Sequence, residues 1–179
     1  MSLELETGRY LIYTKDGNPV GYNPSNGADS KLGIYAFTAG YFDILSVWGV
    51  ERGWERSSQG VRYQLTAYPA GLRSGSLNTG AWPVGSSVEG RLWAYASPLA
   101  GESWFLARIG QNGSGNNTTN ASGTTFTVTN ANGDGWAVDK PSMNGPDSDE
   151  KPVHIAVRQL ATNPASHPPN EVFIFKKLG

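Results

Sequence analysis

Cysteine is absent from the 179 residues, so neither a disulfide framework nor thiol chemistry is available. The N-terminus, Met1–Glu6, is acidic and lacks the apolar core of a secretory signal. With no cysteine and no signal, a cytoplasmic protein is expected. Long hydrophobic runs are also missing, which predicts no transmembrane helix and no membrane partner. Clustered lysine and arginine are lacking, and the net charge is −1. Affinity for nucleic acid comes mainly from such clusters, so no nucleic-acid partner is expected. Histidine is scarce: His154 and His167 are too few for a typical zinc site without cysteine. No metal and no cofactor are therefore expected. Helical periodicity is hard to find, and no glycine-rich phosphate loop leads into a helix.

What the chain has in quantity is turn formers and rings. There are 23 glycines, 11 prolines, 6 tryptophans, 8 tyrosines and 6 phenylalanines. Such a composition points to many short strands joined by tight turns. The length suits one all-β domain spanning 1–179. A chain of this size buries about two-thirds of its unfolded surface and needs no staples.

An internal repeat organises the strands. Three segments alternate an aromatic or aliphatic residue with something else, the period of a half-buried strand. They are Arg9–Tyr13, Arg62–Thr66 and Thr125–Thr129, and their rings Tyr10, Tyr63 and Phe126 lie 53 and 63 residues apart. Turn sequences follow at Asp16-Gly17-Asn18-Pro19, Pro69-Ala70-Gly71 and Asn132-Gly133-Asp134-Gly135. Second strands are expected at Val20–Tyr22, Leu72–Ser74 and Trp136–Val138, and third strands around Ile34, Leu92 and Ile155. Fourth strands are expected around Trp48, Trp104 and Phe173. Repeats of about 8–58, 59–122 and 123–179 result, with extra polar residues placed in loops. Twelve short strands in three units predict a β-trefoil, in which six strands form a short barrel and six form hairpins that cap it. A β-sandwich is the alternative, but it does not explain a threefold repeat.

The polar stretch 110–123 cannot bury a core and is expected to be a surface loop. It holds four Asn-x-Ser/Thr sites, at Asn112, Asn116, Asn117 and Asn120, read here as a flexible linker. The acidic run Asp147–Glu150 reads as solvated loop. A Ser-His-Asp triad needs its groups gathered around an oxyanion hole, and no nucleophile motif occurs in the required context. Binding rather than catalysis is expected.

The segment Phe126–Val138 resembles the "Y-T-I…G-W" hairpin of mushroom β-trefoil serine protease inhibitors. The close Pro168-Pro169-Asn170-Glu171-Val172-Phe173 resembles their "P-P-N-E-L-F" ending. Gly8–Ile12 and Trp48–Glu51 are similar to "G-x-Y-x-I" and "W-x-V-E" in that group. The resemblance spans the chain as a pattern and is specific in roughly its last 55 residues. It implies a trefoil of fungal origin with a role in defence or regulation. Ricin-B-like mushroom lectins and mushroom cysteine protease inhibitors share that scaffold, so two partners are implied.

A protease is the first. A rigid exposed loop would enter a trypsin-like cleft with a lysine or arginine directed at the acid in the primary pocket. Lys31, Arg56, Arg73 and Lys140 are the candidates on expected loops, although Pro141 after Lys140 would impede cleavage. A glycan is the second partner, stacked on an aromatic ring and held by carboxylate or amide groups. Asp16, Asn18 and Tyr22 supply those types in the first repeat, and Asn132, Asp134 and Trp136 in the third. The Gln-x-Trp signature of ricin-B repeats is missing, and Trp136 aligns with core positions. Trp54 and Trp82 are better candidates for exposed rings. A monomer or weak dimer is expected.

Overall fold

A computed structural model describes residues 4–22, 32–37, 46–68, 77–83, 92–98, 100–109, 123–138, 152–161 and 167–179. Alternation of inward and outward side chains forms the strands, as in Gly60–Tyr68, which buries Val61, Tyr63, Leu65 and Ala67 and turns the residues between them outward. In chain order the first repeat holds β1 (Gly8–Thr14), β2 (Val20–Tyr22), β3 (Leu32–Ala36) and β4 (Val47–Ser57). The second holds β5 (Gly60–Tyr68), β6 (Leu77–Pro83), β7 (Leu92–Ser97) and β8 (Trp104–Arg108). The third holds β9 (Thr124–Thr129), β10 (Asp134–Val138), β11 (Val153–Gln159) and β12 (Phe173–Lys177), with one 3-10 turn at Pro169–Glu171. No α-helix occurs among the described residues.

The expected β-trefoil is corrected by the strand pairing. The hairpins are not set apart from a six-strand barrel, because ladders such as β5–β6 and β9–β10 join them to the same sheet. The antiparallel path runs β10-β11-β3-β7-β6-β5-β4-β1-β12-β9 and returns to β10. The result is a closed barrel of ten strands with two outer strands, β2 on β3 and β8 bridging β5 and β9. Closure leaves the ten ring strands without an open edge.

Two local expectations are also revised. In the second repeat the second strand lies at Leu77–Pro83, whereas Leu72–Ser74 falls outside the described residues. In the third strand of the second repeat Ala94 is fully buried, as Ile34 and Ile155 are, while Leu92 is half-buried. Small or polar residues at inward positions, Thr79 and Ala94, hid both features from a reading based on large apolar side chains.

Register places Tyr10 opposite Trp48, Tyr63 opposite Trp104, and Phe126 opposite Phe173. These rings line the core. At its centre lies Trp136, whose indole meets Trp48, Trp104 and Phe173 edge-on, with ring centroids 5.9, 5.5 and 5.8 Å away. Edge-to-face packing sets the positive rim of one ring against the negative face of the next. The Trp48 Nε1–H donates to the Val20 carbonyl at 2.8 Å, and the Trp104 Nε1–H to Thr79 Oγ1 at 2.7 Å. The Thr79 hydroxyl in turn donates to the Leu65 carbonyl at 3.0 Å, so this polar chain is satisfied.

Candidate functional site

Among the described residues the β4–β5 hairpin is the longest two-strand element, with strands of 11 and 9 residues. Its base belongs to the barrel, where β4 pairs with β1 as far as Val50 opposite Gly8. Beyond that point β4 continues against β5, with Arg52 opposite Tyr63, Arg56 opposite Val61 and Ser57 opposite Gly60. Ser58 and Gln59 form a two-residue turn. Gly60, at φ 115°, supplies the left-handed backbone that the turn requires. The tip is tied down as well as turned. Ser57 Oγ accepts from the Gln59 amide at 3.2 Å and donates to the Gly60 carbonyl at 3.3 Å. The Gln59 side-chain amide donates to the Ala131 carbonyl at 3.2 Å, bracing the tip against the β9–β10 turn.

The segment before β1 straps the hairpin from the other side. Tyr63 Oη accepts from the Leu5 amide at 3.0 Å and donates to the Leu5 carbonyl at 3.2 Å. The Arg52 amide donates to Thr7 Oγ1 at 3.1 Å. One oxygen of the Glu4 carboxylate takes the Arg52 guanidinium and the other takes that of Arg56, the latter at 2.9 Å. Beyond this frame two large side chains reach solvent. The Arg56 side chain is 70% exposed, and Trp54 is fully exposed. The outcome is a braced segment presenting a guanidinium and an indole.

The other positions singled out in the sequence do not converge. Lys31, Arg73 and Lys140 lie outside the described residues, as do the 110–122 stretch and Asp147–Glu150. Arg56, expected in a loop, stands on the last turnward residues of β4. Asp16 is exposed in the β1–β2 turn, where Asn18 exchanges hydrogen bonds with Thr14: the Thr14 amide donates to its carbonyl at 2.8 Å, and its amide donates to Thr14 Oγ1 at 3.1 Å. Tyr22, their intended stacking ring, is buried in the core. In the third repeat Asn132 and Asp134 are held by their amides on Asn130 Oδ1, at 3.0 and 3.1 Å. Trp136 is wholly buried and offers no face to a sugar. Trp82 lies on β6 opposite Trp93 in the backbone register.

The histidines stand elsewhere. His154, on β11, lies among Tyr35, Trp93 and Tyr95, and its Nε2 is 3.0 Å from the Ala94 carbonyl. Burial pushes its pKa below the ordinary histidine value, and the hydrogen bond to Ala94 opposes the shift. His167 Nδ1 is 3.9 Å from the buried carboxylate of Glu171. Among the described residues no three histidine, aspartate or glutamate side chains gather as a metal site. No described helix is long and apolar enough to cross a membrane.

Sequence reasoning missed Glu4 and the aromatic surround of His154. Glu4 carried no motif. The rings around His154 come from two strands, β3 and β7, whose pairing with each other and with β11 is a long-range fact. No protein-family model matches the chain, and no curated protein shows significant similarity to it.

Proposed function

We propose that this protein is a serine protease inhibitor that offers the β4–β5 hairpin to a trypsin-like enzyme, with Arg56 as the primary residue. The observation that carries the reading is the presentation of Arg56 on a segment held extended by its own ladder and braced by Gln59 and Glu4. A guanidinium suits an acidic pocket because its planar fork donates two parallel hydrogen bonds to one carboxylate. The hairpin is ordered before binding, so little conformational entropy is lost on docking. Ser57, next in the chain, is small and already hydrogen-bonded across the turn, which favours retention of the Arg56–Ser57 bond in the cleft. The glycan alternative gains no support from the rings named for it, since Tyr22 and Trp136 belong to the core.

Titration of trypsin with the purified protein tests the proposal. Stoichiometric, competitive inhibition is expected, with Arg56→Ala losing at least a hundredfold in Ki and Arg56→Lys retaining most of it. Absence of inhibition at micromolar protein, or full inhibition by Arg56→Ala, overturns it.

A further inference from the structure

The chain places three tryptophans, Trp48, Trp104 and Trp136, at full burial and leaves Trp54 at full exposure. The local backbone explains how. Ladder register shifts between Arg52 and Arg56, so Gly53, Trp54 and Glu55 stand opposite Arg62 alone. Such a bulge bends the strand and re-aims its side chains. Gly53 makes the close approach: a Cβ there would meet the Arg62 carbonyl oxygen at 3.1 Å. With Gly53 pressed against β5, the next residue is carried outward. The indole therefore has no packing role to perform in the monomer.

We propose that Trp54 is a second specificity-determining contact of the same site, covered by an apolar surface of the protease beside its acidic primary pocket. The inference rests on the reading of Arg56 as the primary residue. Trp54 precedes Arg56 by only two residues, and both reach solvent from the same bulged end of β4. A partner that seats the guanidinium covers the indole within the same footprint, since a typical interface buries about 800 Å² on each side. Tryptophan and arginine are the residue types that most often dominate binding energy, and a charged rim that excludes water strengthens such a centre. Glu51, Arg52 and Glu55, all exposed, provide that rim.

The test compares Ki for trypsin among the intact protein, Trp54→Ala, Trp54→Phe and Arg56→Ala, with melting temperature and sedimentation measured on each. Trp54→Ala is expected to raise Ki at least tenfold at unchanged melting temperature, and Trp54→Phe to restore most of the loss. If Arg56→Ala abolishes inhibition while Trp54→Ala stays within twofold of the intact protein, the Trp54 inference fails and the Arg56 reading stands. If the intact protein inhibits no trypsin-like protease, both fail. A dimer that dissociates on Trp54→Ala also overturns the inference, because a second copy of the chain then covers the indole.

Discussion

The imidazole of His154 stacks on the indole of Trp93, with ring centroids 4.7 Å apart and planes inclined by 29°. Tyr35 stacks on it at the same separation, and Tyr95 meets it edge-on at 5.1 Å. The cluster joins β3, β7 and β11, each of which pairs with the other two. Protonation of this imidazole sets a charge among rings.

Acid should therefore loosen this end of the barrel. Burial, the larger influence, holds the folded pKa of His154 below its ordinary value of 6.5, while the Ala94 hydrogen bond pulls the other way. Between the lowered folded value and 6.5, the unfolded chain binds more proton than the native one, so stability rises with pH across that window. The contribution is complete above the unfolded value and is lost as pH falls below it. Urea unfolding at pH 7.5 and at pH 5 should show a larger decline for the intact protein than for His154→Phe. An equal decline in the two proteins removes His154 from the explanation.

Glu171 is the structural meaning of the Pro-Pro-Asn-Glu segment. Its buried carboxylate accepts from Arg158 at 2.8 Å and from the Ala161 amide at 3.1 Å, closing the connection between β11 and β12. Glu171→Ala leaves the amide without this acceptor and the guanidinium without this carboxylate. The Arg158 side chain is 37% exposed and can turn to water, so the cost falls well short of that for a fully buried pair. A loss of about 2 kcal/mol is expected, read as a lower urea midpoint at an unchanged slope.

Glu4 sets the strength of the hairpin's own hold on its cations. To enter an acidic pocket, Arg56 must leave the Glu4 carboxylate. An exposed ion pair of this kind contributes about 0.2–1 kcal/mol, equivalent to at most about fivefold in affinity. Glu4→Gln should tighten inhibition of trypsin by up to about that factor at low salt, and the gain should fade as salt screens the pair. Weaker inhibition by Glu4→Gln would show instead that bracing by Glu4 outweighs its competition for Arg56.

Much of the strand inventory was legible because one physical rule wrote it. Tyr10, Ile12 and Thr14 alternate with exposed or half-buried neighbours, as do Val61, Tyr63, Leu65 and Ala67. The opposed pairs Tyr10–Trp48, Tyr63–Trp104 and Phe126–Phe173 could be aligned in sequence because each is large and apolar. Thr79 could not. Its inward position is specified by two hydrogen bonds, to Trp104 and Leu65, and composition gives no sign of them. Of the binding candidates, Arg56 was legible as a cation near a turn, but its placement on a braced strand was not.

Sequence alone determined that the chain is all-β, where most strands run and which rings are large enough to fill its core, since these follow from local alternation and turn chemistry. The tertiary structure decided how the strands join. The ladders that link the hairpins into one closed ten-strand barrel, in place of the expected trefoil, connect residues far apart in the chain. It also decided which tryptophan is core and which is surface. Trp136 and Trp54 are the same residue type in similar glycine-containing stretches, and only the packing around them separates a buried centre from an indole left in water.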